Sequence, residues 1–165
     1  MEKNIYSAPE SNLENNDSSE SVDATRISRL LASFVDGLTI LPFTAALMYF
    51  TGGFDGFKEG VQPSFSYTLI MGLIGIGIFV LMHGKIMIRD GQTWGKKAFN
   101  IKMVSLDGSN VTGAMLLKRY SFYWLVPQVP VAGQILSMIN ILFIFGKTKR
   151  CLHDYIAGTR VVVAK

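Results

Sequence analysis

Aspartate, glutamate, lysine and arginine are missing from three long stretches of this sequence, residues 37–54, 60–84 and 120–146. The second and third are 25 and 27 positions long. A helix that crosses a bilayer needs about 20 mainly apolar residues, with a range of about 17–25. Charged residues make up 17% of the 165-residue chain, against about 25% in soluble globular domains. Mean hydropathy is +0.31. These patterns argue against an ordinary soluble domain and describe a small integral membrane protein.

Four apolar segments can be drawn, at residues 30–50, 65–82, 114–126 and 131–145. The last two share one uncharged run, which would make either one long helix or a hairpin. Pro127 and Pro130, followed by Gly133, oppose an unbroken helix. Charge distribution favours the hairpin too. Lys and Arg collect at the N-terminal flank, in the loop after residue 84 and in the C-terminal tail, whereas the loop after the first segment holds only Lys58. Basic residues gather on the cytoplasmic side, so an even number of crossings places both termini there. Each hairpin arm is short against a hydrocarbon core of about 30 Å, leaving full spans and a re-entrant pair both open. The expected fold is therefore an all-α membrane protein, a bundle of four short transmembrane or re-entrant helices.

Three regions lie outside the bundle. Residues 1–24 are rich in Asn, Ser, Asp and Glu and cannot bury enough surface to offset their ordering entropy. They read as a disordered cytoplasmic tail, ahead of a membrane domain over residues 25–165. Residues 92–99 place Trp94 and Phe99 among Lys96 and Lys97, a pattern suited to an amphipathic segment on the inner leaflet, where anionic lipid would meet the lysines. Residues 101–105 alternate before an Asp107-Gly108 turn, and residues 159–164 have strong β character. They are expected to pair as a small cytoplasmic β-ribbon, the alternative being that the terminal valines lie on the membrane.

The informative charges are few. Asp36 is the one carboxylate inside a predicted span, and such a residue is a functional hypothesis by default. Arg29 lies seven residues earlier, on the same helix face. His153 and Asp154 follow the fourth apolar segment on the same side. A cluster of Arg29, Asp36 and Asp154, with His153 as an accessory, is the predicted ion- or proton-binding group. Cys151 is alone, so no internal disulfide forms, and it reads as a small tolerated side chain. His83 reads as an interface residue. Too few ligand types coincide for a metal site, and no cofactor is expected. No nucleophile-elbow, HExxH or P-loop pattern points to an enzyme. The basic pI is explained by membrane orientation, which leaves nucleic acid without a role.

Three motifs occur in order: residues 29–36 (RLLASFVD), residues 91–97 (GQTWGKK) and residues 152–162 (LHDYIAGTRVV). Together they resemble the RDD family of small bacterial membrane proteins, named for one arginine and two aspartates. The resemblance covers about residues 24–164 and maps the name-giving positions to Arg29, Asp36 and Asp154. It implies a location in the bacterial inner membrane and a transport-related role, some members being regarded as monovalent cation/proton antiporters. The residues leave two readings open. In one, Asp36 alternately binds a proton and a monovalent cation, in a homo-oligomer large enough for alternating access. In the other, the three charges form a structural clamp in a membrane module that binds another membrane protein.

Overall fold

A computed structural model describes residues 21–164. Two helices dominate it, α1 (Arg26–Phe50) and α2 (Phe65–Asp90). Their most apolar 18-residue windows have mean hydropathy 1.7 and 2.2, so both are long and apolar enough to cross a membrane. Each is started by a hydroxyl cap: Thr25 Oγ1 accepts from the Ser28 amide and Ser64 Oγ from the Tyr67 amide. The helices form an antiparallel hairpin with a regular meeting pattern. Thr51 bonds Tyr67 through their hydroxyls at 2.6 Å, Gly75 faces Thr44, and Asp36 faces His83. These meetings recur every seven or eight residues, about two helical turns. Most of the remaining surface of the pair is exposed and apolar, including Phe34, Leu41, Phe43, Leu73 and Val80.

The third and fourth apolar segments form shorter helices, α4 (Gly113–Leu125) and α5 (Ala132–Leu142), joined at the expected proline turn. A Cβ on Gly72 would come within 2.7 Å of the Gln128 amide in that turn. Gly72 lies seven residues into α2, about 10 Å along the axis. The turn therefore meets α2 well inside its first residue. The four apolar segments fall into two classes, two of spanning length and two short arms, of which α4 and the proline turn pack against α2.

At the other end of the helices sits a small polar layer. The helix α3 (Trp94–Ala98) leads into β1 (Ile101–Ser105), while α6 (Leu152–Ala157) leads into β2 (Thr159–Val163). The two strands pair antiparallel with Met103 opposite Val161, which is the ribbon anticipated from sequence. Its inner face joins a core of Ala24, Ala32, Phe79, Met87, Ile101, Met103, Val111, Leu116 and Val161. Gly91 closes α2 in the left-handed conformation, φ +66°, and a Cβ there would lie 2.4 Å from the Met103 carbonyl oxygen. Only glycine meets both demands.

The sequence assigns the tail to residues 1–24, of which 1–20 lie outside the described residues. The last part is built into the fold. The Ala24 amide donates to Val161 O at 3.0 Å, the Val163 amide donates to Val22 O at 2.9 Å, and Ala24 is fully covered. Val22 and Ala24, flanking Asp23, bond the free edge of β2, because an unpaired edge offers free N–H and C=O groups.

Candidate functional site

The three charges anticipated from sequence do not form one cluster. Arg29 and Asp154 meet, whereas Asp36 is held by a different set of residues.

Asp154 sits in the first turn of α6, where its Oδ2 accepts from the Cys151 amide at 2.9 Å. It is wholly buried. Arg29, from the first turn of α1, donates to Oδ2 at 2.5 Å, and Arg119, from the middle of α4, donates to Oδ1. Both guanidiniums have further acceptors. Arg29 reaches Lys149 O, and Arg119 reaches Thr159 Oγ1 at 2.8 Å. Asp154 thus ties together α1, α4, α6 and the start of β2. Burial alone would raise its pKa, but Arg119 and then Arg29 outweigh that and hold the carboxyl well below the usual range.

His153 stands beside this group without sharing its bonds. Its backbone N–H and its Nδ1 both lie 2.9 Å from Asn140 Oδ1. An oxygen that accepts the amide also accepts Nδ1–H, which fixes the tautomer. Burial and the nearby Arg119 pull the ring down to about 2, so it is neutral at physiological pH. Cys151, His153 and Asp154 do place ligand atoms within 4.8 Å of one another. Yet Arg29 Nη2 already lies 3.6 Å from Cys151 Sγ, burial pushes the thiol up, and both carboxylate oxygens face guanidiniums. A metal cation would meet two fixed positive charges there, so the donor set does not suit one.

Asp36 lies one helical turn beyond Ala32, at the point where α3 docks on α1. The docking is tight: a Cβ on Gly95 would fall 2.0 Å from the Ala32 carbonyl oxygen and 2.9 Å from Asp36 Cγ. With no side chain at Gly95, its amide donates to Asp36 Oδ1 at 2.7 Å. Thr93, which caps α3, donates its hydroxyl to Oδ2 at 2.5 Å. Two titratable groups stand slightly further off. Lys96 Nζ is 3.9 Å from Oδ2, and His83 Nε2 is 3.5 Å from Oδ1. Asp36, Lys96 and His83 are all buried.

Lys96 overturns one expectation. The sequence pattern makes it a surface cation on an amphipathic segment, but it is only 8% exposed. Trp94, at 47%, faces outward together with Lys97 and Ala98. Burial, reinforced by Arg119, pulls the Lys96 ammonium down to about 8. Arg29 and Asp154 also act on its charge, so Lys96 lies electrostatically between the two carboxylates.

The two acidic residues therefore differ in kind. Asp154 is saturated by arginines, whose charge is permanent. Asp36 is faced by a lysine and a histidine, whose charges can change. Sequence reasoning did not find Arg119, Thr93, Gly95, Lys96, His83 or Asn140. A usable signal existed for the middle group, since residues 93–96 form a hydroxyl cap, an aromatic, a glycine and a lysine inside one of the recognised motifs. Arg119 carried no signal beyond its adjacency to an uncharged run.

Comparison with known proteins agrees with the motifs. No curated protein and no solved structure matches the chain. A family model described as the RDD family matches residues 24–158, a span that contains α1 to α6 with Arg29, Asp36 and Asp154, and the chain belongs to that family of membrane proteins.

Proposed function

We propose that this protein moves monovalent cations across the membrane in exchange for protons, with Asp36 as the group that binds each in turn. One observation carries the reading. Asp36 lies in a helix of spanning length, and the charged neighbours at its oxygens are groups able to give up a proton. An ionisable residue at such a position is costly and marks an ion or proton path more often than not. A monovalent cation on Asp36 would stand within reach of the Lys96 ammonium, so like-charge repulsion lets it enter most easily as positive charge leaves the site. That opposition is what couples the two flows.

Asp154, Arg29 and Arg119 play the supporting part. They fasten the polar layer beneath α1 and α4 and keep Thr93, Gly95 and Lys96 against Asp36. The distribution of Lys and Arg supports an orientation with this layer in the cytoplasm of a bacterial cell and several crossings of the inner membrane. The apolar faces of α1 and α2 left uncovered in a single chain suit lipid and a second copy, and a homo-oligomer would supply the room that alternating access needs.

The test is flux in proteoliposomes. Wild type should dissipate an imposed pH gradient on addition of Na⁺, K⁺ or Li⁺, and Asp36→Asn should not, while eluting and melting as a folded protein. Absence of cation-dependent proton movement in wild type refutes the proposal. The second reading, a membrane module that docks on another protein and moves no ion, is favoured by the completeness of the Asp154 clamp. It gains if Asp36→Asn and Asp154→Asn lose stability alike and neither wild type nor variants show flux.

A further inference from the structure

His83 is a second titratable group at Asp36 whose own protonation the reading above does not assign. Its ring is fully buried in α2, stacked on Phe79 at 4.5 Å between ring centres and edge-on to Trp94 at 5.7 Å. Its Nδ1 lies 3.2 Å from the carbonyl oxygen of Phe79, one turn earlier. A carbonyl can only accept, so Nδ1 carries a hydrogen. The other nitrogen, Nε2, has no hydrogen-bond partner among the described residues and is sealed from solvent. It points at Asp36 Oδ1, 3.5 Å away.

That contact does not work for two deprotonated groups. A neutral imidazole with its hydrogen on Nδ1 presents a bare lone pair at Nε2. Asp36 Oδ1 presents a lone pair as well. Two acceptors facing each other in a buried site repel, and Nε2 forfeits the hydrogen bond that burial demands, whereas Oδ1 keeps that of the Gly95 amide. One proton on the line between them resolves both problems, whether it rests on nitrogen or oxygen. Other occupants fit less well. A sodium- or lithium-like ion prefers oxygen ligands over imidazole nitrogen, and Lys96 approaches Asp36 from the opposite oxygen, Oδ2.

We infer that His83 and Asp36 form a dyad that holds a single proton across the gap between α1 and α2, which makes His83 the second proton-bearing residue of this site. The dyad supplies the proton half of the exchange proposed above and rests on that reading for its role in transport. The groups facing it are Thr93, Trp94, Gly95 and Lys96 from the α3 region and Phe79 on the same helix as His83, with Tyr120 of α4 packed on Phe79 and near enough to feel the Asp36 charge. Lys96 is the charged member of that set and is near enough to His83 to act on its charge. The titration of two coupled groups belongs to the pair and not to either residue alone.

The chain offers a clean measurement because it has two histidines, His83 and His153. With ¹⁵N-histidine incorporated into the full-length protein, ring-nitrogen NMR across pH 5–10 resolves both. His153, locked on Asn140, should stay silent and serve as a folding control. His83 should keep its hydrogen on Nδ1 throughout and show one transition at Nε2. Asp36→Asn should move that transition by about one pH unit or more, as expected on losing a charge within about 4–6 Å. A bare Nδ1 in wild type, no transition at Nε2, or a transition that Asp36→Asn leaves in place would each overturn the dyad. The first two need no variant, so a folding failure of Asp36→Asn does not shelter the idea. Proteoliposome flux is read separately: a dyad seen by NMR in a protein without flux refutes transport and leaves the proton site standing.

Discussion

Asp154→Asn should be the most damaging conservative change in the protein. The substitution keeps the shape of the side chain and removes its charge. Arg29 and Arg119 then lie buried, at 8% and 5% side-chain exposure, with no anion between them. Breaking a buried ion pair by removing one partner costs about 3–5 kcal/mol. Two pairs are lost here, but the effects do not add. Arg29 retains Lys149 O and Arg119 retains Thr159 Oγ1, so the expected loss is that of about one pair. The assay is denaturant unfolding in detergent micelles, followed by circular dichroism, with Asp90→Asn as the control. Asp90 pairs with Arg89 at the surface, and its variant should unfold with wild type. The pH dependence gives an independent check. Because the folded-state pKa of Asp154 is depressed, its contribution is fully present above the ordinary carboxylate pKa, near 4, and is lost as pH falls below it. Asp154→Asn should therefore lose that part of the acid sensitivity. A variant within about 1 kcal/mol of wild type, or one with unchanged acid sensitivity, would refute the clamp.

Two further predictions concern the Asp36 side. Gly95→Ala should push α3 off α1, because the new Cβ meets backbone at Ala32; a loss of about 1–3 kcal/mol is expected from overpacking, with Gly113→Ala as a control in open space. Lys96→Met should alter the alkaline limb of the stability profile. The folded protein gives up the Lys96 proton at about 8 and the unfolded chain near 10.4. The unfolded state binds more protons between those values, so wild-type stability should rise across that window, and Lys96→Met should not show the rise.

Much of the fold is legible in the residues because its strongest determinants are local. Charge-free runs set α1 and α2, the spacing of Pro127 and Pro130 sets the turn between α4 and α5, and alternation followed by Asp107-Gly108 marks β1. The Arg29–Asp154 contact was also within reach, since both residues flank apolar segments at the same end. The error at Asp36 has a physical origin. A seven-residue spacing shows that Arg29 and Asp36 share a helix face, but it leaves them two turns, about 10.5 Å, apart along the axis. Which partner each then finds depends on what packs between them. Here Gly95 lets α3 press on Ala32 and bring Thr93 and Lys96 from 57 and more residues away. Lys96 departs from the pattern for a related reason: an amphipathic segment has two faces, and Lys96 lies on the one that turns inward while Lys97 stays outside.

The separation of the two carboxylates has a consequence that a single cluster would not have. Five buried acidic and basic side chains besides His83 and His153 meet in the polar layer: Arg29, Lys96 and Arg119 against Asp36 and Asp154. When all are ionised the layer carries one excess positive charge in a poorly solvated place. Arginine cannot relieve it, because the guanidinium does not deprotonate in proteins. Had an arginine faced Asp36, the excess would be fixed. With Lys96 there instead, the charge of the layer is adjustable at the carboxylate that lies inside a spanning helix. That allocation of permanent cations to Asp154 and dischargeable ones to Asp36 is why Lys96→Arg should be a harsher test of the exchange mechanism than Lys96→Met. It preserves the positive charge and removes the means of losing it, so cation-driven proton flux should fall further in Lys96→Arg, and equal flux in the two variants would show that Lys96 takes no part in the coupling.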